Sequence, residues 1–416
     1  VLFAFTGAAP YGGLPDSPLL PDGKGNFFGT TRSNGNNSGP CSNLCGTVFE
    51  LSPPAAGESV WRQRVLHTFN GADGSMAQAL YMDPHGNLFG TTLYGGNGAC
   101  YGGCGVTFEL TPPAMPGGQW TEKTIYAFNG PDGMAPGSPL DADASGSLYG
   151  ETIDGGGGGP PSECYNFGCG EVFKLTPPAP GKTAWTETIL HSFSGGADGI
   201  GSFYGVLVKA GVVYAISDGG GARTNGFVYA LTHEGASWKE TILHTFAGGT
   251  DGSLPTMSLM ADSSGALYGL TLYGGGSKVC KGGNGGCGTV FKLEPPARGQ
   301  AAWKETILHA FQGSDGSAPY GNGQLLADSR GQLYATTTGG TGRAADGTVF
   351  KLAPPATGKT AWVLSTLQFF DGNDGRSSFA GLTEYKGQLF GSTFGGGNSG
   401  PACSVFGCGI LFRLAP

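Results

Sequence analysis

Leu267-Tyr-Gly-Leu-Thr-Leu-Tyr-Gly-Gly-Gly276, continued by Cys287-Gly-Thr-Val-Phe-Lys-Leu293, is one copy of a pattern that runs through the whole chain. Its Gly-x-Val-Phe-x-Leu part puts an aromatic ring at Phe49, Phe108, Phe173, Tyr229, Phe291, Phe350 and Phe412. Its Leu-Tyr-Gly-x-Thr part puts another at Phe28, Phe89, Tyr149, Tyr214, Tyr268, Tyr334 and Phe390. A third landmark, Trp-x-x-x-x-Leu-His-x-Phe, is led by Trp61, Trp120, Trp185, Trp238, Trp303 and Trp362. A fourth is an apolar stretch ending in Asp before a turn, as in Leu259-Met-Ala-Asp262.

Each repeat reads as four short strands. In the copy quoted, strand A is Ser258–Asp262, B is Leu267–Thr271, C is Thr289–Leu293 and D is Trp303–Phe311. Aromatic and β-branched residues alternate within these segments, and Gly, Pro, Asp or Asn bound them. Apolar residues occupy both faces of B and C, as expected of sheets packed on both sides. No helical period of useful length is present. Repeated four-stranded units predict an all-β fold, a seven-bladed β-propeller in one domain. Val1-Leu-Phe-Ala-Phe5 matches the end of strand D, and the chain stops at Phe412-Arg-Leu-Ala-Pro416, after strand C. The N-terminal strand is therefore expected to complete the last blade and leave no free edge at the seam. The predicted blades are 14–70, 75–129, 134–194, 199–247, 252–312, 316–371, and 375–416 with strand 1–6.

Composition agrees. Glycine is 81 of 416 residues, and charged residues are 12%, about half the usual share. Fixed aromatic positions between the glycines exclude collagen and disorder, so the glycines mark turns. The net charge of −8 without a basic cluster disfavours nucleic-acid and anionic-membrane partners. No apolar run is long enough to span a membrane, and no signal peptide is visible. Val1 falls within a pattern, as in a mature or trimmed chain. A monomer is expected.

The ten cysteines form five close pairs, each within one B–C loop. They are Cys41 with Cys45, Cys100 with Cys104, Cys164 with Cys169, Cys280 with Cys287, and Cys403 with Cys408. Two thiols per loop with no neighbouring histidine do not make a four-ligand zinc set. Local disulfides and an exported protein are expected. Closing so short a loop stabilises by only ~2 kcal/mol in the chain-entropy model, so the bridges stiffen loops rather than hold the fold.

The Gly-x-Val-Phe-x-Leu units, each preceded by Leu-Tyr-Gly-x-Thr and Gly-Gly, resemble the GloVer tandem-repeat proteins of bacteria across essentially the entire chain. The resemblance implies an exported, often surface-anchored bacterial repeat protein and carries over no catalytic residue. Blade 4 departs from the pattern: Gly226-Phe-Val-Tyr-Ala-Leu231 lacks cysteines, and its strand A, near Val206-Leu-Val-Lys209, lacks the usual Asp.

Variable loops on a rigid scaffold are where sites usually lie, which points to the B–C/D–A loop face around the channel mouth. Asp73, Asp132, Asp198, Asp251, Asp315 and Asp374 each precede Gly at the start of a D–A loop. Asp-Gly is a turn pair, and structural calcium is the minority reading; no cofactor is required. His67, His191, His244 and His309 lie in the outer strand D and read as structural, which weighs against Ser-His-Asp chemistry.

Sharper signals come where a blade breaks its own repeat. Glu151 stands where other blades carry Thr, Ile, Leu or Ser, with Asp154 and Glu163 further along. Acids at one rim suit the acid and base, or nucleophile, of glycoside hydrolysis; the bland alternative is an inter-blade salt bridge or a calcium site. Asp218 and Arg223 replace the cysteine loop in blade 4, and Arg343 does so with Asp346 in blade 6; Arg376 opens blade 7. Arginines facing the channel suit carboxylated sugars, against a plain reading as surface ion pairs. Tyr11, Tyr94, Tyr101, Tyr165, Tyr204, Tyr273, Tyr320 and Phe379 are rim aromatics on which sugars can stack, or which pack glycine loops.

The resulting expectation is a secreted carbohydrate-active enzyme, a glycoside hydrolase or polysaccharide lyase, with a glycan partner. Its catalytic candidates are Glu151, Asp154, Arg343 and Tyr204. Substrate would be bound by Tyr11, Tyr165, Asp218, Arg223, Tyr320 and Arg376. The alternative is a non-catalytic glycan-binding or adhesive surface propeller.

Overall fold

The computed structural model describes residues 1–8, 11–15, 17–33, 41, 45–115, 117–157, 164, 167–221, 224–280, 285–397, 403 and 407–416. Seven four-stranded antiparallel sheets form the ring of a β-propeller, each running A-B-C-D outward. Blade 3 has strands Asp141–Ala142, Leu148–Thr152, Glu171–Thr176 and Thr186–Ser192. Blade 4 has Leu207–Lys209, Val212–Ser217, Phe227–Glu234 and Ser237–Thr245. Blade 5 has Ser253–Ala261, Leu267–Tyr273, Thr289–Glu294 and Lys304–Ala310. Its strand A starts earlier than the sequence suggests. It crosses a register break between Thr256 and Met260, where Met257 takes a positive φ of 63°.

The seam closes as expected. Phe3 pairs with Leu411 and Ala4 with Ile410, so the N-terminal strand is strand D of blade 7. The contact that joins blades is the same at the seam as elsewhere. Phe5 meets Phe49 edge to face at 5.6 Å. Phe69–Phe108, Phe128–Phe173, Phe193–Tyr229, Phe246–Phe291, Phe311–Phe350 and Phe370–Phe412 repeat it, each joining the end of one strand D to strand C of the next blade. Such edge-on pairs match the positive ring edge to the negative face. The tryptophans add a second layer: Trp120, Trp185 and Trp303 pack on Phe28, Phe89 and Tyr214 of the preceding blade. The glycine of Leu-Tyr-Gly is a close approach. A Cβ on Gly269 would lie 2.4 Å from Phe291 Cζ, although blades 4 and 6 carry Ala215 and Ala335 there.

The A–B turns depend on their aspartates. Asp262 Oδ1 accepts from Ser264 N at 2.8 Å, Ser264 Oγ at 2.6 Å and Ala266 N at 3.1 Å. Its Oδ2 accepts from Tyr268 Oη at 3.0 Å. Blades 4 and 7 lack this Asp and turn instead through Ala210 and Lys386, both at positive φ, each followed by Gly. Asp262→Ala is expected to lower the unfolding free energy by about 1–2 kcal/mol, since several N–H groups lose their acceptor at a half-exposed turn. An unchanged denaturation curve would show that water replaces the carboxylate there.

All five cysteine pairs are disulfides, in the pairing the spacing predicts. Cys41 is bonded to Cys45, Cys100 to Cys104, Cys164 to Cys169, Cys280 to Cys287, and Cys403 to Cys408. Their Cα separations run from 4.9 to 5.3 Å. The second cysteine of each pair opens the way into strand C and is the better buried: Cys45, Cys104, Cys169, Cys287 and Cys408 are all within the core. Each bridge therefore ties the free part of a B–C loop to the rigid sheet. The bonds point to an extracytoplasmic protein, since they persist in oxidising compartments. Among the described residues no helix is long and apolar enough to cross a membrane.

Candidate functional site

Strand A of each blade lines the central channel, which holds a cavity of about 360 Å³. Its wall mixes Leu19, Leu80, Leu140, Leu207 and Leu382 with the polar residues Ser258, Asn322, Gln324 and Thr383. The one carboxylate among the described residues of the wall, Asp141, is already engaged: its Oδ2 accepts from Val208 N at 2.7 Å and ties blade 3 to blade 4.

Glu151 lies on strand B of blade 3 with no solvent exposure. Alternation along the strand turns it sideways into the blade 3–4 interface rather than toward the channel. Ser202 Oγ donates to its Oε2 at 2.5 Å, and Tyr229 Oη donates to its Oε1. Burial pushes its carboxyl up to about 8, against these two hydrogen bonds and with Asp218 reinforcing the rise. Tyr229 is the landmark aromatic of blade 4, where every other blade has Phe. Glu151 and the Tyr229 hydroxyl are thus two breaks in successive repeats that satisfy each other. A buried carboxyl needs such partners.

Tyr204 and Asp218 come near the same cluster. Burial and then Asp218 raise the Tyr204 pKa well above its ordinary value, and burial pushes Asp218 up to about 6. Tyr204 is buried and edge-on to Tyr320 at 5.9 Å, which is edge-on in turn to Phe379. The structure therefore brings Glu151, Tyr204, Asp218 and Tyr320 together, as packed side chains. Asp154 is half-buried, its backbone paired with Met134, and burial alone raises its carboxyl.

The other candidates stand apart. Arg343 is exposed, its guanidinium over the Phe369 ring at 5.0 Å on the outermost strand of blade 6, so it does not face the channel. Arg376 Nε donates to Asp346 Oδ1 at 2.5 Å, the local ion pair of the plainer reading. Tyr11 is 47% exposed, and its carbonyl accepts from Gln63 Nε2. Glu163, Tyr165 and Arg223 lie outside the described residues.

An opening roomier than the channel cavity lies on the B–C/D–A face at blades 1 and 2. It has a volume of about 750 Å³ and is lined by Tyr94, Tyr101, Ser75, Ala72, Cys41 and glycine backbone from Gly71, Gly95, Gly96, Gly102 and Gly103. Tyr101 is 99% exposed and Tyr94 is 40% exposed. The glycines leave the wall without side chains, while their N–H groups at Gly71, Gly95, Gly96 and Gly103 are bonded to neighbouring loop carbonyls, and the two rings supply flat apolar faces. No charged side chain is among the described residues that line it.

Metal-ligating types also gather at the strand-D histidines and D–A aspartates, which the sequence reads as structural with calcium as the minority reading, and a Glu of the next blade joins them. His67 with Asp73 and Glu122, His191 with Asp198 and Glu240, and His244 with Asp251 and Glu305 each bring their ligand atoms within 4.8 Å of one another. The signal was available: a Glu two residues after Trp recurs as Glu122, Glu187, Glu240 and Glu305, in step with the strand-D position of His.

Fold and loops together define a seven-bladed propeller of tandem repeats with disulfide-pinned loops on one face. The chain belongs to the Gloeobacter/Verrucomicrobia repeat family, whose model matches residues 1–164 and 159–402. No curated protein matches the sequence. Solved structures of similar shape include a candidate 6-phosphogluconolactonase from Bacteroides uniformis, 12% identical, covering 84% of this chain and 83% of that one, with a TM-score of 0.46. A luciferin-regenerating enzyme is 9% identical over 100% of this chain and 93% of its own, with a TM-score of 0.43. PorZ, a surface component of the type-IX secretion system of Porphyromonas gingivalis, is 12% identical over 90% of this chain and 45% of its own, with a TM-score of 0.45. Likeness at this distance carries no information about residues or chemistry.

Proposed function

We propose that this protein is an exported glycan-binding propeller that takes neutral sugar chains into the groove at blades 1 and 2. The observation that carries the reading is the pairing of two exposed tyrosine faces, Tyr94 and Tyr101, with an uncharged wall of glycine backbone in an opening of about 750 Å³. Sugar rings present apolar C–H faces to such rings. The uncharged wall favours neutral glycans over uronates. The disulfides and the family both support a location outside the cytoplasm. Glu151 enters this reading as a buried inter-blade residue, its oxygens already bonded to Ser202 and Tyr229.

The test is calorimetric titration with a panel of neutral and uronate oligosaccharides, with product analysis on the same mixtures. Binding of a neutral oligosaccharide is expected. Tyr94→Ala and Tyr101→Ala should each weaken it about tenfold, because covering ~60 Å² of ring face contributes ~1.5 kcal/mol. Full affinity in both variants would overturn the assignment of the groove. Turnover of a glycan by the wild type, lost in Glu151→Gln, would replace binding with catalysis at the blade 3–4 interface.

A further inference from the structure

The outer strands of neighbouring blades meet through a repeated set of side chains. A His late in strand D faces the Asp of the following D–A loop and a Glu early in strand D of the next blade. His191, Asp198 and Glu240 form one set between blades 3 and 4; His244, Asp251 and Glu305 form another between blades 4 and 5.

Two other interfaces serve as internal comparisons. Between blades 5 and 6, Leu364 takes the place of the Glu, and His309 Nε2 and Asp315 Oδ2 close to an ordinary hydrogen bond of 2.9 Å. Between blades 2 and 3, Tyr126 takes the place of the His, and its hydroxyl lies 2.7 Å from Asp132 and 2.8 Å from Glu187. There a single hydroxyl between two carboxyl groups suffices, provided one of them keeps its proton.

In two of the three sets that have His, Asp and Glu together, those at blades 3–4 and 4–5, the spacing opens. His191 Nε2 is 3.3 Å from Asp198 Oδ1. His244 Nε2 is 3.5 Å from Asp251 Oδ1 and 3.6 Å from Glu305 Oε1. His191 Nε2, His244 Nε2, Glu240 Oε1 and Glu305 Oε1 are buried atoms with no hydrogen-bond partner. The second oxygen of each Asp is already held. Ser194 N and Oγ donate to Asp198 Oδ2 at 2.6 and 2.8 Å, and Ala247 N donates to Asp251 Oδ2 at 2.5 Å. Each Oδ1 is thereby left turned toward the imidazole, as outer partners orient metal ligands.

A charged imidazolium would draw its carboxylates to the shorter distances of charge-assisted bonds, about 2.8 Å. The spacings around His244 and between His191 and Asp198 match a different object, while Glu240 is within 4.8 Å of its set but outside ion-pair distance of His191, so it would have to move in to ligate. Ligands about 2.1 Å from a tetrahedral zinc ion stand about 3.4 Å apart. We infer that the set of His191, Asp198 and Glu240 and the set of His244, Asp251 and Glu305 are zinc sites that clamp blade 3 to blade 4 and blade 4 to blade 5. One imidazole nitrogen and two carboxylates supply three ligands and leave the fourth position for water. Calcium, which takes six to eight oxygens, does not suit a set led by imidazole. The set at blades 1 and 2 is left out, because His67 Nε2 already has its bond to Asp73 Oδ2 at 3.1 Å and Asn70 Nδ2 donates to the same oxygen.

The test uses untagged full chain incubated with zinc chloride, desalted, and measured for bound metal by mass spectrometry, with thermal unfolding in parallel. Two zinc ions per chain are expected in the wild type, one in Glu240→Gln, one in Glu305→Gln and none in the double variant. Zinc should raise the wild-type Tm, and a chelator should reverse the rise. Should the double variant fail to fold, the wild-type count and the two single variants carry the test. A chain that retains no zinc, or a count that neither single substitution lowers, would overturn the assignment.

Discussion

Phe291→Ala is expected to lower the unfolding free energy by about 3–5 kcal/mol, the cost of a large ring removed from a closed core. Phe291 has no solvent exposure. It packs edge-on against Phe246 at 5.2 Å and over Gly269 of its own blade. It shares a cluster with Tyr204, Val228 and Leu259, so it belongs to the boundary between blades 4 and 5 rather than to one sheet. The backbone of a propeller blade is fixed by ladders on both sides and cannot collapse into the gap. Phe167→Ala, a ring 59% exposed in a B–C loop, is the matched control and should change the unfolding free energy by less than about 0.5 kcal/mol. Denaturant titration of both variants decides the matter. Equal shifts would mean that these rings fill space without joining blades.

The second large effect concerns pH. Glu151 is held in the folded chain with a pKa of about 8 against an ordinary 4.5, chiefly by burial. Between those values the folded state binds a proton that the unfolded state has released. Stability must then fall as pH rises, from about 4.5 until the folded carboxyl ionises near 8, and level off beyond. The sign is opposite to that of a salt-bridged carboxylate. The full window amounts to about 2–5 kcal/mol for the wild type. Glu151→Gln keeps the shape, and its amide has no proton to lose. The variant should match the wild type near pH 5 and exceed it at pH 9, because its stability lacks this slope. Parallel curves for the two proteins across that range would show that Glu151 is charged and compensated in the fold.

These two residues mark the boundary between what the repeat discloses and what it hides. Phe291 is legible from the chain alone, because seven aligned copies of Gly-x-Val-Phe-x-Leu define a position. Glu151 is legible as an anomaly, a carboxylate in a position that otherwise holds Thr, Ser, Ile or Leu. Its partner Tyr229 is an anomaly too, but 78 residues away in another repeat. Nothing local says that the two meet. Arg343 shows the same gap from the other side: its loop could be placed on a face of the ring, yet its guanidinium lies on Phe369 at the outer strand.

The sequence by itself determined the blade count, the strand order within each blade, the closure by Val1–Phe5 and the five disulfides. Each of these rests on short-range physics. Period-two alternation makes a strand, Asp and Gly make its turns, and two cysteines in one short loop reach each other without help from the rest of the chain. Only the tertiary structure decided which side chains face one another between blades. Glu151 with Tyr229, and His244 with Glu305, are pairings across separate sheets. Sheet twist and the stacking angle of the ring set those meetings, and both are properties of the closed assembly rather than of any one repeat.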